Sequence, residues 1–274
     1  MLNKGWGKIK KKIERFIKGY IKKSGLEGIV LGLSGGIDSC TASALCASAI
    51  GGDKVLGLLL PEQETYKVED IQHAERVARQ FGFKTQTIDI SMTLENFYES
   101  IPIFNPQDKV SKGNIKARTR MVYIYYYANN LNRLVCGTSN KSETMIGYFT
   151  KWGDFAADIS PIMDLYKTQV RKMARYIGIP EDIVTKPASP RLWPGQLAKE
   201  ELGLGYKSLD LILYGLEHFM NAKEIAKQLD IKYTLVKKIE HRWLLMEHKR
   251  NTPLTTKIEY RTVGDDFRIP RDVK

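Results

Sequence analysis

Apolar and polar positions alternate in two rhythms along this chain. GIVLGL (28–33) and KVLGLLLP (54–61) are unbroken apolar runs of strand length, the pattern of strands covered on both faces. Between them, Cys40 to Ile50 is rich in Ala and Ser and predicts a helix packed closely on a sheet, which completes a βαβ unit. The rhythm continues with a helix at about 67–81, a strand KTQTIDI (84–90), a helix from Thr93, a helix at about 113–131 and a strand RLVCGT (133–138). Such alternation predicts an α/β fold with a parallel, doubly wound sheet.

Beyond residue 140 the strand pattern stops, and helices are expected at about 166–177, 206–217, 221–229 and 233–249. KPASPRLWPGQLAKEELGLG (186–205) is rich in Pro and Gly and too long for a plain connector, so a mobile loop that orders over a ligand is expected. At the other end, Ile9, Ile13, Phe16, Ile17, Tyr20 and Ile21 recur at helical spacing. The simplest partition is one domain: an amphipathic helix over 1–24, an α/β core over 25–185, the loop over 186–205, and C-terminal helices with a tail over 206–274.

Composition supports a globular chain: 43% of its 274 residues are hydrophobic. No apolar run approaches the roughly 20 residues that cross a bilayer, and the N-terminus lacks a signal core, so a cytoplasmic protein is expected. Cys40, Cys46 and Cys136 include no C-x-x-C pair and read as buried thiols, which argues against a zinc or disulfide framework. The net charge of +12 raises the question of an anionic partner. Part of it is local, because Lys4 to Lys23 carries nine basic residues and Glu14 as its sole acid. A solvated helix face that packs on the body or on a partner subunit explains that run more simply than RNA or membrane contact.

The densest chemistry lies in GLSGGIDS, where Gly32, Leu33, Ser34, Gly35, Gly36, Ile37, Asp38 and Ser39 join the first strand to its helix. This is the ligand edge of a doubly wound sheet. The glycines let backbone N–H groups approach a polyanion, the helix N-terminus adds its dipole, and two serines add donors. The motif has neither the lysine of the P-loop nor the spacing of the dinucleotide fingerprint. Asp38 would repel phosphate unless a divalent cation bridged the two, which makes it a candidate Mg²⁺ ligand.

S-G-G-x-D-S resembles the pyrophosphate loop of the ATP pyrophosphatases, a superfamily of the Rossmann-like adenine-nucleotide alpha hydrolase type. Four further blocks, KGNIKARTRM (112–121), LVCGTSNKSE (134–143), GYFTKWGDFAADISPIMDLYKTQV (147–170) and EHKRNTPLTTKI (247–258), look like the ammonia-dependent NAD synthetase branch. The resemblance covers roughly residues 9–260. It implies ATP-dependent amidation of deamido-NAD with ammonia through an adenylate, with no glutaminase domain in the chain. It also implies ATP contacts from the 32–39 loop, Thr138, Lys167 and Ser189, and Mg²⁺ on Asp38 and Glu143. Deamido-NAD would be held by Arg118, Lys151, Asp158, His248 and Lys249, with Asp38, Asp158 and Lys167 taking part in the chemistry. Tyr148 and Phe149 are candidates to stack on the nicotinate ring. A homodimer with nucleotide sites near its interface is implied as well.

Two departures stand out. Pro190 and Arg191 occupy a place where relatives usually show a small residue followed by an acid, and Leu197, Ala198 and Lys199 replace a commonly acidic stretch. Two rival readings accompany the resemblance. A tRNA-modifying or other ATP pyrophosphatase would fit the charge, but the C-x-x-C of thiolating relatives is missing and the 112–170 blocks would go unexplained. A helix-turn-helix over 221–243, with Ala226, Leu229, Ile231, Val236 and Ile239 at packing positions, would make the chain a nucleic-acid-binding module.

Overall fold

A computed structural model of the chain describes residues 5–251 and 253–262, so Lys4 and the 263–274 part of the expected tail lie outside the described residues. In chain order the elements are α1 (Trp6–Ser24), β1 (Gly28–Gly32), α2 (Ile37–Ile50), β2 (Val55–Leu59), α3 (Val68–Phe81), β3 (Lys84–Thr87), α4 (Ser91–Ser100), α5 (Lys109–Asn130) and β4 (Arg133–Val135). There follow α6 (Lys141–Met145), α7 (Lys167–Ile177), α8 (Glu181–Thr185), α9 (Ala198–Leu202), α10 (Tyr206–Glu217), α11 (Ala222–Leu229), α12 (Tyr233–Leu245) and α13 (Glu247–Arg250).

The four strands form one parallel sheet in the order β3-β2-β1-β4. Because side chains alternate across a strand, Ile29 and Leu31 enter one apolar layer while Val30 enters the other. The first layer holds α1, α2, α3 and α7, with Ile17, Leu45, Val77 and Met173 buried in it. The second packs Ile124 and Ala128 of α5, with Leu94 of α4, beneath Val30, Leu58 and Val135. The sheet is thus doubly wound, and α6, α9, α10, α11 and α12 build a separate apolar cluster around Leu209, Leu213, Ile225, Val236 and Ile239.

Helix α1 is amphipathic as its spacing predicts. Ile13 and Ile17 are buried and contribute about 2 kcal/mol each, which helps hold a helix whose opposite face is solvated lysine. Phe16 departs from the expectation: it is 46% exposed, because its position turns away from the body. Helix α5 starts four residues earlier than the apolar pattern suggests, since the Asp108 carboxylate caps it by accepting from Ser111 N (3.0 Å). The expected 233–249 helix breaks at Met246 into α12 and α13.

The 186–205 segment is not a bare loop. It contains α9, whose Ala198 and Leu202 are buried in the helical cluster, so two of its anchor points are apolar. The helix-turn-helix-like pair is α11 and α12, with Ala226, Val236 and Ile239 buried against α10 and its neighbours. A capping box of Asn221 and Glu224 starts α11, and Asp230 in the left-handed region ends it. All three cysteines are free and buried, with 3.7 Å between the sulfurs of Cys46 and Cys136. Among the described residues no helix is long and apolar enough to cross a membrane.

Candidate active site

Strand order reverses between β1 and β4, and at such a switch point the loops leaving two adjacent strands part to form a crevice. A cleft of about 560 Å³ opens there, walled by the segments after β1, β2 and β4 and by the 186–205 segment.

The loop after β1 forms its floor. Leu33 anchors the loop, being buried, and its N–H donates to Leu58 O (2.8 Å). The chain then turns through Ser34 and Ser39, whose hydroxyl oxygens lie 3.0 Å apart. Ser34 N donates to Ser39 Oγ (3.2 Å) and Gly36 N to Ser34 Oγ (3.3 Å). Gly35 is demanded twice over. Its φ is +70°, and a Cβ there would stand 2.0 Å from the backbone oxygen of Asp70. After Gly36 the helix α2 begins without a side-chain cap, which leaves its first-turn N–H groups facing the ligand edge.

Three charged side chains from distant parts of the chain converge beside that loop. Asp38 stands in the first turn of α2, Glu143 in α6, and Lys167 at the first position of α7. Lys167 Nζ pairs with Asp38 Oδ2 and lies 3.1 Å from Glu143 Oε1. Asn140 braces the group: its Nδ2 donates to Asp38 Oδ1 (3.0 Å), while its Oδ1 caps α6 through Glu143 N (3.1 Å). Burial alone favours a neutral Lys167, but the two carboxylates outweigh it and hold the amine firmly charged. Glu143 is moved the other way, its carboxyl pushed up by burial despite the lysine. Asp210, fully buried, fixes the start of α7 by accepting from Ser142 Oγ and Thr168 N (2.7 Å), and Ser142 Oγ in turn accepts from Lys167 N (2.8 Å).

Among the described residues no three His, Cys, Asp or Glu side chains form a metal cage. Asp38 and Glu143 instead offer two carboxylates directed at one cationic point, which suits Mg²⁺, since that ion is commonly bound by one or two carboxylates plus substrate phosphates.

The other expected residues divide into two groups. Thr138, Ser189 and Lys249 line the cleft, as do Tyr148 and Phe149, the latter stacked on Phe155 with ring centres 3.9 Å apart. Lys249 Nζ is held by the backbone oxygens of Gly147 (2.7 Å) and Phe149, and burial lowers its pKa. Arg118, Lys151, Asp158 and His248 do not line the cleft. Arg118 donates from Nε and Nη2 to Lys151 O (3.3 Å each), and Lys151 Nζ donates to His248 O (2.6 Å), which makes an outward-facing basic cluster. Among the described residues no cation pairs with Asp158, and it stands just behind the cleft lining. Its Oδ2 accepts from Val135 N (2.7 Å) and its Oδ1 from Tyr125 OH (3.4 Å).

Sequence reasoning missed the partners of several charged groups around the cleft. Lys186 and Arg191 share the Asp70 carboxylate, with Arg191 Nη2 3.0 Å from Oδ2. Lys116, wholly buried, sits between Glu62 (2.9 Å) and Glu64 (2.6 Å). The one weak signal was Lys116 next to the apolar Ile115 and Ala117 on α5.

A doubly wound parallel sheet with a polyanion loop at its switch point, backed by two carboxylates and a lysine, defines a nucleotide-binding α/β enzyme fold. Residues 9–253 match the family model described as NAD synthase, and the chain belongs to that family. It is 44% identical over 246 residues to the NH(3)-dependent NAD(+) synthetase of Hyperthermus butylicus, covering 89% of this chain and 88% of that one. Among solved structures it resembles an NMN synthetase from Francisella tularensis (TM-score 0.82, 32% identity, 93% of this chain and 99% of that one). It also resembles an NH3-dependent NAD synthetase from Campylobacter jejuni (TM-score 0.78, 31% identity, 92% and 99%).

Proposed function

We propose that this protein is an NH3-dependent NAD synthetase, which amidates deamido-NAD at the expense of ATP and releases AMP and pyrophosphate. The observation that carries the reading is the convergence of Asp38, Glu143 and Lys167 beside the uncapped start of α2, in a chain of the NAD synthase family. The nicotinate carboxylate attacks the α-phosphorus of ATP, pyrophosphate leaves into the 34–39 loop, and ammonia displaces AMP from the acyl carbon. Loop N–H groups and the Ser34 and Ser39 hydroxyls hold the β and γ phosphates. Lys167, kept charged by its carboxylate neighbours, stabilises the charge that grows on the phosphate oxygens. A Mg²⁺ held by Asp38 and Glu143 would supply neutralisation of the polyphosphate. Thr138 and Ser189, both lining the cleft, contact ATP, and closure of the 186–205 segment keeps water from the adenylate.

The outward cluster of Arg118, Lys151 and His248 binds the rest of deamido-NAD at the edge of a homodimer. Support comes from α5, where Val122 (67% exposed) and Tyr126 (68%) follow Arg118 at intervals of four, a bare apolar row beside the basic groups. Within this assembly Asp158 positions the end of β4 rather than touching the nicotinate.

A second reading, the same amidation on the mononucleotide, is favoured by the likeness to the Francisella NMN synthetase. Incubation with ATP, Mg²⁺ and ammonium chloride, with deamido-NAD or nicotinate mononucleotide in parallel, decides between them by chromatography of AMP and the amide product. NAD formed with ammonium and not with glutamine is the expected result. Absence of AMP with both acceptors sinks both readings.

A further inference from the structure

We infer that Arg191 is an additional pyrophosphate ligand, which leaves Asp70 for the polyphosphate and so sets how tightly ATP and the pyrophosphate product are held. The inference rests on the reading of residues 34–39 as the pyrophosphate loop. Arg191 lines the same cleft as that loop, with its guanidinium 3.0 Å and 3.2 Å from the two carboxylate oxygens of Asp70. Asp70 is in turn pressed against the loop, its backbone oxygen closing over Gly35. Lys186 pairs with the same carboxylate and lies 3.1 Å from His73 Nδ1. Two cations therefore share one anion at the wall of a cleft built for phosphate, and one positive charge is left over.

The backbone of Arg191 is fixed independently of its side chain. Its N–H donates to Ser189 Oγ (3.2 Å), and its carbonyl lies 3.0 Å from the Thr65 hydroxyl. It also holds a left-handed φ of +54°, unusual for a non-glycine residue and tolerated where surrounding contacts over-determine it. A guanidinium on so fixed a root can exchange a carboxylate for a phosphate by rotating its own side chain, and it can then hold the phosphate bidentately. Lys186 remains to satisfy Asp70 after the exchange. Where the sequence resemblance leads one to expect an acid, this chain thus places a cation beside the leaving group.

Calorimetric titration of the full-length protein with Mg²⁺–pyrophosphate, and separately with Mg²⁺–ATP, tests this on the wild type and on Arg191→Ala, Arg191→Lys and Arg191→Asp. Losing one hydrogen-bonded ion partner should weaken pyrophosphate binding about tenfold in Arg191→Ala and further in Arg191→Asp, with partial recovery in Arg191→Lys. Melting temperatures identify any variant that fails to fold, in which case Arg191→Lys against wild type, compared at low and high salt, still reads the phosphate contact. Equal pyrophosphate affinity in wild type and folded Arg191 variants overturns the inference. A wild type that binds neither ATP nor pyrophosphate overturns instead the functional reading beneath it.

Discussion

Lys167 and Glu143 meet at 3.1 Å beside the polyphosphate loop, and the same ammonium also pairs with Asp38. The lysine thereby holds in place two carboxylates that would otherwise repel each other and the phosphates.

Asp38→Asn should keep the fold, because its amide oxygen can still accept from Asn140 Nδ2, but its amide nitrogen then faces the Lys167 ammonium and that ion pair is lost. It removes the charge that would hold the metal, so AMP and pyrophosphate release should fall by at least about 100-fold, the scale of losing one electrostatic stabiliser. Coupled-assay turnover beside a circular dichroism melt checks this. Unchanged turnover removes Asp38 from the metal site.

Glu62 is expected to be a stability residue with a pH signature. Burial pushes its carboxyl upward, yet the hydrogen bonds from Thr65 and Lys116 and the Lys116 charge outweigh that, leaving it below its ordinary value of 4.5. A lowered carboxyl contributes stability above its unfolded pKa, and that contribution is lost as pH falls through the folded value. Glu62→Ala should cost about 3 kcal/mol at pH 7 by stranding Lys116 with the half-exposed Glu64. The gap between the two proteins should narrow below about pH 4.5, as denaturant melts at several pH values will show. A constant gap across that range would count against the ion pair as its source.

The two loop glycines should respond differently to alanine. Gly35→Ala meets the Asp70 oxygen and a positive φ, so a loss of about 2 kcal/mol or more and abolished ATP binding are expected. At Gly36 the backbone is extended (φ −85°) and the nearest atom, Ser34 Oγ, stands 3.3 Å from the added methyl. Gly36→Ala should therefore change stability by less than about 1 kcal/mol. Equal melting temperatures for the two variants would contradict this assignment of strain.

Tyr126→Glu tests the dimer edge. A charge in the bare row on α5 should shift the sedimentation coefficient from dimer to monomer and raise the KM for deamido-NAD more than that for ATP, since Arg118 lies on the same face. A variant that sediments and turns over like the wild type would count against the proposed interface on α5.

The βαβ rhythm was legible because β1 and β2 are short apolar runs joined by a stretch rich in Ala and Ser, and GLSGGIDS marked the loop because Gly35 needs a left-handed backbone, although the Asp70 oxygen that also excludes a side chain there comes from a distant segment. What stayed hidden depends on distant partners. Lys116 looks like any helix-surface lysine until Glu62 and Glu64 are brought to it across the fold. Helices α6, α8 and α9 are five residues each, too short to show a period, and are fixed by caps and tertiary burial. The bonds that Asp158 accepts, from the N–H of Val135 and the hydroxyl of Tyr125, join groups far apart in the chain and could not be read from side-chain types along it.

The Asp158 contact has a consequence for how crowded copies of this chain behave. Strand β4 ends the sheet, and the outward N–H and C=O of Val135 are both taken, by the Asp158 carboxylate and by Asp158 N (3.0 Å). Gly137 N, next along the same rim, donates to Ile159 O (2.8 Å). At Val135 and Gly137 the margin offers a foreign strand no open N–H to pair with. The Asp158 side chain thus also protects the end of β4 against edge-to-edge pairing.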